Sequence, residues 1–293
     1  MATTTIRGAQ IAFSEQGAGE DVVMLHCTGS NGGQWRNLTS ALAGRFHSVA
    51  PDLYGYGGTD AWAGRESITL ADEAALVESL IERFDAPVHL VGHSFGGAVA
   101  LRVARQAPQR IRTLSLIEPV AFHLLRDGDA VDAIAWQEVE GVVGTLSLAL
   151  LRGDYWGGCG HFVDYWSGQG AWASMPEAKR AAFAQKLGKV VLDFWTSMNE
   201  PMRVVDLETC NVPTLVIRGG RSPHPVRRIA RHIAATMPDA RLAEIRSAGH
   251  MAPMTHADEV NRLVTQHIGA GDRLASPVPS EADSRRFLEA VPV

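Results

Sequence analysis

A serine between two glycines is the strongest chemical signal in the sequence. Gly92-His93-Ser94-Phe95-Gly96 follows an apolar run at 88–91 and precedes a segment with helical periodicity. A G-x-S-x-G sequence between a strand and a helix is typical of a sharp turn that exposes a serine hydroxyl for nucleophilic attack. Glycines are needed there because a side chain two residues before or after the serine would collide with the neighbouring strand or helix. Ser94 is the predicted nucleophile, although such a turn can also simply join a strand to a helix.

The residue after this serine begins the predicted helix. Free backbone N–H groups at the start of a helix, together with the positive end of the helix dipole, stabilise negative charge that develops beside the serine. The N–H group of Phe95 is therefore a predicted donor of an oxyanion hole.

A nucleophilic serine needs a base, and one histidine occupies a suitable place. Of the eleven histidines, only His250 follows a late predicted strand within a Ser-Ala-Gly-His turn, with a last helix still to come. A histidine in this place can accept the proton of the serine hydroxyl. We predict that His250 is the base.

Strands and helices alternate along most of the chain, after a weak hairpin pattern at 6–15. Short apolar runs predict strands at 22–25, 46–50, 88–91, 113–117, 214–217 and 241–245. Helical periodicity predicts helices at 35–43, 70–84, 98–106, 226–237 and 260–268. This alternation predicts an α/β fold with a mostly parallel sheet.

The alternation stops between residues 117 and 214. That stretch predicts several helices broken by a glycine-rich segment at 153–170, which together would form a helical cap. We therefore divide the chain into a core at 1–120 and 207–270, a cap at 121–206 and a C-terminal extension at 271–293. The composition of the extension, rich in Ala, Gly, Ser, Pro and charge, predicts a loosely held tail.

The sequence resembles the α/β-hydrolases, over roughly residues 6–268. The resemblance is carried by four motifs that occur in the family's order: Leu25-His26-Cys27-Thr28-Gly29, Pro51-Asp52-Leu53-Tyr54-Gly55-Tyr56-Gly57, the turn around Ser94, and Ser247-Ala248-Gly249-His250-Met251. It implies a mostly parallel twisted sheet flanked by helices, with a helical cap inserted after the sixth strand. It also implies that the backbone of Thr28 supplies the second oxyanion donor. The family's usual glycine is Cys27 here, which we interpret as a small buried residue in preference to a catalytic thiol.

The carboxylate that should orient the histidine is missing from its usual place. The resemblance places it after the strand at 214–217, but no Asp or Glu occurs at 218–238, and Ser222 stands where an aspartate is expected. A hydroxyl group cannot stabilise an imidazolium as a carboxylate does. The acid must therefore come from another element.

Glu118 is the best replacement, because it ends the preceding predicted strand. Side chains at the carboxyl ends of neighbouring parallel strands face the same crevice. Some α/β-hydrolases carry their acid after the sixth strand, and Glu118 resembles that arrangement. A loop carboxylate paired with an arginine is the alternative role for Glu118, and Asp52, Asp193 and Asp206 are weaker candidates for the acid.

Composition and charge exclude several classes of function. Hydrophobic residues make up 46% of the chain and charged residues 20%, as in ordinary globular proteins, and the net charge is −5 without a long basic run. We expect no nucleic-acid partner. No basic segment followed by an apolar run opens the chain and no stretch of about 18 apolar residues follows, so we expect neither secretion nor a membrane partner.

The cysteines and glycines indicate no cofactor. Cys27, Cys159 and Cys210 are scattered without metal-site spacing, which also suggests a reducing, cytoplasmic compartment. Glycine patterns that cradle phosphate are absent. We expect neither a bound cofactor nor a metal site, and the oligomeric state stays open.

Five of the seven tryptophans fall in the predicted cap, which indicates an apolar pocket for a small substrate. These rings could instead form only the core of the cap. The predicted pocket residues are Cys27, His93, Phe122, Tyr165, Trp166, Trp172 and Met251.

These features predict a serine hydrolase that cleaves a small, largely hydrophobic carboxylic ester or lactone through an acyl-enzyme on Ser94. The same three groups could also serve carbon-carbon bond hydrolysis, a lyase reaction or a cyclisation, because one fold hosts many chemistries. A third alternative is a ligand receptor that kept the scaffold and turns over slowly.

Overall fold

An eight-stranded sheet forms the centre of the protein. The computed structural model describes residues 2–275. The strands are β1 (Ala2–Ile6), β2 (Ala9–Gly17), β3 (Glu20–Leu25), β4 (Phe46–Pro51), β5 (Val88–His93), β6 (Ile111–Ile117), β7 (Thr214–Gly219) and β8 (Ala240–Ile245). Their order is β1-β2-β4-β3-β5-β6-β7-β8. The pairs that involve β1 or β2 are antiparallel and the others are parallel.

Both faces of the sheet are covered, which explains why a central strand such as β3 carries apolar residues on both of its faces. Within β3, Val23 and Leu25 pack into the core on one face, whereas Val22 and Met24 pack into the core on the other. The first core includes α2 (Leu70–Ile81), α3 (Phe95–Gln106) and α9 (His224–Thr236), and the second includes α1 (Arg36–Leu42) and α11 (Ala257–Ala275). The short helix α10 (Ala252–Thr255) comes between β8 and α11.

Five helices fill the chain between β6 and β7. They are α4 (Ala130–Arg152), α5 (Tyr155–Ser167), α6 (Ala171–Ser174), α7 (Glu177–Ala184) and α8 (Leu187–Asn199). The predicted fold class is thereby confirmed, including the insertion after the sixth strand. We call these five helices the cap. The exact division of the chain at 120 and 206 stays a prediction.

The glycine-rich segment separates cap helices at its two ends, at Gly153 and at Gly168 and Gly170, but its middle is helical. Gly153, with φ of +71°, ends α4, but α5 then runs through three further glycines. Asp154 caps α5 by accepting a hydrogen bond from the N–H of Gly157, at 2.8 Å. A Cβ atom on Gly158 would lie 2.8 Å from Leu187 of α8. The cost of glycine in a helix is therefore offset by close packing between helices.

One helix of the cap is long and apolar on average, although polar residues interrupt its apolar runs. By length and composition alone, α4 could cross a bilayer, and it is the one such helix in residues 2–275. Core helices of folded domains meet the same criterion. In the structure α4 packs against α5, α8 and α9, with Ala135, Val139 and Leu146 buried.

The last helix continues beyond its predicted end. α11 extends to Ala275, five residues into the range predicted as a C-terminal extension. The remaining predicted tail, 276–293, lies outside the described residues.

Candidate active site

The turn between β5 and α3 holds Ser94 in a strained conformation. Its φ and ψ are +56° and −118°, in a region that residues with a side chain rarely occupy. The turn is tight, since a Cβ atom on Gly92 would overlap the carbonyl of Gly96, and one on Gly96 would overlap the carbonyl of Leu25. The Ser94 carbonyl accepts hydrogen bonds from the first turn of α3. The hydroxyl therefore stands at the edge of the sheet, beside a helix N-terminus.

His250 lies within hydrogen-bond distance of this hydroxyl. Its Nε2 is 2.9 Å from Ser94 Oγ, although 156 residues separate the two along the chain. The ring of Trp166, from α5 in the cap, lies over the imidazole with 4.0 Å between centroids. The imidazole is thus held between the cap and the sheet edge, and it can exchange a proton with the serine.

Glu118 contacts the other nitrogen of the same imidazole. It follows β6 with a φ of +51°, is fully buried, and places Oε2 at 3.1 Å from His250 Nδ1. Its Oε1 accepts a hydrogen bond from the backbone N–H of Gly219 at the end of β7. A carboxylate so placed can fix the imidazole tautomer with Nε2 free to accept the serine proton.

Ser222, which stands at the expected place of the acid, and the weaker acid candidates Asp52, Asp193 and Asp206 have other surroundings. Ser222 is buried, and among residues 2–275 its Oγ has no hydrogen-bond partner. Asp52 accepts hydrogen bonds from the N–H groups of Gly32 and Gly58. Asp193 contacts side chains of the cap and of the β3–α1 loop, and Asp206 accepts the N–H of Arg203. None of these four side chains forms a hydrogen bond with His250 in the described part of the chain.

The two predicted oxyanion donors border a narrow space beside the serine. Thr28, Ser94 and Phe95 line this space of about 10 Å³, together with Phe122 and Asp193. Within residues 2–275, no hydrogen bond occupies the N–H group of Thr28 or of Phe95. Both N–H groups are therefore available to an oxygen atom bound next to Ser94.

A larger cavity of about 220 Å³ opens between the core and the cap. Three predicted pocket residues, Cys27, Trp166 and Met251, line it together with Ser94 and His250. The sequence prediction does not include several other lining residues, because they come from separate segments of the cap and from α10: Met175, Phe183 and Met254. Their side chains make the cavity wall largely apolar.

Four predicted pocket residues do not line this cavity in the described structure: Phe122 borders only the narrow space beside Ser94, and His93, Tyr165 and Trp172 border neither space. His93 is fully buried behind His250, where its Nε2 donates to the His250 carbonyl at 2.9 Å. The hydroxyl of Tyr165 donates to Glu138 of α4 at 2.7 Å. Trp172 packs against Trp156 and Phe183 within the cap. These three residues support residues that line the cavity, namely His250, Trp166 and Phe183. Packing within the cap keeps the side chains of Tyr165 and Trp172 out of the cavity wall.

Burial keeps His93 and Cys27 uncharged. Removal from water, followed by the neighbouring His250, lowers the pKa of His93 to about 3. Removal from water likewise raises the pKa of the Cys27 thiol to about 12. At neutral pH His93 is a neutral hydrogen-bonding partner, and Cys27 is a thiol without nucleophilic character, as the sequence suggested.

Comparison with known proteins supports a shared family. The sequence model of the alpha/beta hydrolase family matches residues 22–263. An uncharacterized protein of Mycobacterium tuberculosis is 34% identical over 149 residues, which are 50% of this chain. That alignment covers 41% of the relative, so the chain matches about two fifths of the relative's length.

Other relatives are matched along most of their length. The 2-hydroxy-6-oxo-6-phenylhexa-2,4-dienoate hydrolase of Burkholderia cepacia is 27% identical, with 89% of this chain and 92% of the relative covered. The pimeloyl-[acyl-carrier protein] methyl ester esterase of Chromobacterium violaceum is 25% identical, with 86% and 95% covered.

The fold also matches solved structures. A thermophilic esterase from Thermogutta terrifontis superposes with a TM-score of 0.70 at 22% identity, over 92% of this chain and 97% of that one. At this identity the likeness establishes the fold alone.

Proposed function

Because the chain belongs to the alpha/beta hydrolase family, we propose that it is a serine hydrolase that cleaves a small, largely hydrophobic carboxylic ester or lactone. The observation that carries this proposal is the chain of hydrogen bonds from Ser94 Oγ through the His250 imidazole to the Glu118 carboxylate. A hydroxyl, an imidazole and a carboxylate in this order form the arrangement that activates serine for acyl transfer.

The first half of the reaction acylates the serine. Ser94 Oγ attacks the carbonyl carbon of the substrate while His250 Nε2 takes the hydroxyl proton. The carboxylate of Glu118 stabilises the imidazolium, and the N–H groups of Thr28 and Phe95 donate to the oxyanion. The tetrahedral intermediate then collapses, the bond to the leaving oxygen breaks, and His250 returns the proton to that oxygen.

The second half releases the acid. A water molecule attacks the acyl carbon while His250 accepts one of its protons. The Ser94–acyl bond breaks, His250 protonates Ser94 Oγ, and a carboxylic acid leaves. With a lactone, the alcohol released in the first half stays attached to the acyl group.

The size and lining of the cavity support a small substrate. Its volume of about 220 Å³ lies below the roughly 300–1,000 Å³ of sites for drug-sized ligands. Aromatic and thioether side chains line most of it, so a hydrophobic acyl or alcohol group would fit better than a charged one. The names of the Chromobacterium violaceum and Thermogutta terrifontis proteins support ester chemistry.

Carbon-carbon hydrolysis is the second candidate, and the name of the Burkholderia cepacia relative supports it. The compound in that name contains no ester bond, so its hydrolysis must break a different bond. Lyase, cyclase and slow receptor functions remain alternatives without an observation in their favour.

The compartment and the partners belong to the same proposal. Cys27, Cys159 and Cys210 are free and buried, which supports the cytoplasmic location expected from their scatter. We keep a small molecule as the expected partner, and neither nucleic acid nor a membrane.

Labelling with a fluorophosphonate, followed by a panel of short p-nitrophenyl esters, lactones and dienoate ketones, tests the function. Ser94→Ala should lose labelling and nearly all turnover. Ser48→Ala is the matched control, because Ser48 is also buried but lies on β4. Ester turnover that persists in Ser94→Ala would overturn the mechanism. Wild-type turnover of the ketones with none of the esters would favour the second candidate.

A further inference from the structure

The cap directly contacts the loop that carries the predicted oxyanion donor Thr28. The Thr28 hydroxyl donates a hydrogen bond of 2.6 Å to Oδ2 of Asp193, which belongs to α8 and lies 165 residues further along the chain. Asp193 borders the narrow space beside Ser94, and only 2% of it is exposed. A side chain of the cap is therefore bonded to a residue that lines the space beside the serine.

Asp193 is itself held by further bonds. Lys189 Nζ lies 2.5 Å from its Oδ1, and the Tyr56 hydroxyl donates to its Oδ2 at 2.7 Å. Lys189 also donates to the buried carboxylate of Glu73 at 2.9 Å. Burial by itself would lower the pKa of Lys189, but Asp193 and Glu73 outweigh burial and raise that pKa. The cluster is thus a charged, bonded network, which is rigid when its members are satisfied.

The same loop touches the cap again one residue later. Lys186, at the start of α8, donates from Nζ to the carbonyl of Gly29 at 3.0 Å. A side chain on Gly29 would overlap the ring of Phe183, and its φ of +77° also favours glycine. Two consecutive loop residues, Thr28 and Gly29, are therefore fixed against cap helices.

An oxyanion donor is effective only when its N–H group already points at the developing charge. We propose that Asp193 is a positioning residue that holds Thr28, through the Thr28 hydroxyl, in the orientation in which its backbone N–H meets the oxyanion. The cap then has two tasks: it covers the substrate, and it completes the oxyanion hole. This inference rests on the proposed acyl-transfer function, because it concerns the donor that the mechanism assigns to Thr28.

Thr28→Val tests the proposal, because it removes the hydroxyl and keeps the charged cluster. We expect kcat for a short p-nitrophenyl ester to fall at least about 10-fold, less than the 10²–10³-fold cost of deleting a donor outright. KM should change less than about 3-fold, because the ground state does not use the donor fully. Affinity for a trifluoromethyl ketone, which forms a tetrahedral adduct with serine, should fall in parallel with kcat. Thr28→Ser restores the hydroxyl and should recover most of the lost kcat.

Thr196→Val is the matched control, because Thr196 is also a threonine whose hydroxyl bonds to Asp193. Thr196 is buried in α8 and donates to the backbone carbonyl of Asp193, not to its carboxylate. Its kcat should stay within about 2-fold of the wild type. If Thr28→Val does not give a cooperative thermal melt, Thr28→Ala takes its place, because it adds no bulk.

The outcomes separate this proposal from the function on which it rests. If the Thr28 and Thr196 variants had the same kcat, the positioning role would be overturned. The same holds if Thr28→Val changed KM alone. In both cases Ser94-dependent turnover, and with it the proposed function, would stand. A wild-type protein without Ser94-dependent labelling or turnover would overturn the function itself.

Discussion

The buried side chain of Glu118, at the end of β6, accepts a hydrogen bond from the backbone N–H of Gly219, at the end of β7. One carboxylate oxygen is thereby bound to the end of β7, and β7 is the strand after which α/β-hydrolases usually carry their acid. The other oxygen remains for the His250 imidazole. The proposed acid lies at the end of one strand, and the end of the next strand binds it.

Glu118→Gln should lower kcat by about 10³–10⁴-fold, because an amide cannot stabilise the imidazolium and can favour the wrong tautomer. Activity on a short ester measures the loss, with fluorophosphonate labelling as a second readout. Ser222→Ala is the control, since Ser222 is buried nearby on the β7–α9 loop, and it should stay within about 3-fold of the wild type. The reverse result would mean that the acid assignment is wrong.

Trp166→Ala should change which substrates are accepted. The ring lines the cavity and lies over His250, so its removal enlarges the space beside the imidazole. We expect kcat/KM to fall for p-nitrophenyl acetate and the preference to move towards longer acyl chains. The free energy of unfolding should fall by about 3–5 kcal/mol.

Trp195→Ala removes the same kind of ring from a different place. Trp195 is 45% exposed and does not border the cavity in the described chain. The Trp195→Ala variant should therefore prefer the same acyl chain length as the wild type. An unchanged preference in Trp166→Ala would contradict the assigned cavity.

Two glycine substitutions should have opposite effects on stability. Gly144 lies on the exposed side of α4 with no atom within 4 Å of an added Cβ, so Gly144→Ala should raise the free energy of unfolding by about 0.5–1 kcal/mol. Gly96→Ala should lower it by at least about 1–3 kcal/mol, because the Cβ would overlap the carbonyls of Leu25 and His26. Urea unfolding measures both, and a Gly96→Ala variant as stable as the wild type would contradict the tight turn.

Acid should destabilise the protein through its buried histidines. Burial lowers the pKa of His123 to about 4, from 6.5 in the unfolded chain. As the pH falls from about 6.5 to about 4, the unfolded chain binds a proton that the folded protein does not, so the free energy of unfolding decreases. Burial acts in the same direction at His26, His93 and His267.

His123→Asn isolates one of these groups. The amide can still donate to the Ser197 carbonyl, as His123 Nδ1 does at 3.0 Å, but it binds no proton. Between about pH 4 and 6.5, the slope of unfolding free energy against pH should be smaller by about 1.4 kcal/mol per pH unit. Parallel wild-type and variant curves would show that His123 does not contribute.

The sequence alone determined the fold class and singled out Ser94, His250 and Glu118 as the candidate triad, because these predictions depend on local information. The alternation of strands and helices, the glycines around Ser94 and the absence of an acid at 218–238 can all be read along the chain. Strand ends also meet at one edge of a parallel sheet, so Glu118 could be chosen by its position in the pattern.

Only the tertiary structure decided how the cap meets the core. The direction of a cap side chain depends on the angles and packing of its helix, which periodicity does not fix. Tyr165 and Trp172 therefore pack within the cap, whereas Phe183 lines the cavity. Asp193 is a candidate for the catalytic acid by sequence, but in the structure it bonds to Thr28. Contacts between residues 165 positions apart follow from the packing of the whole chain, and no local pattern encodes them.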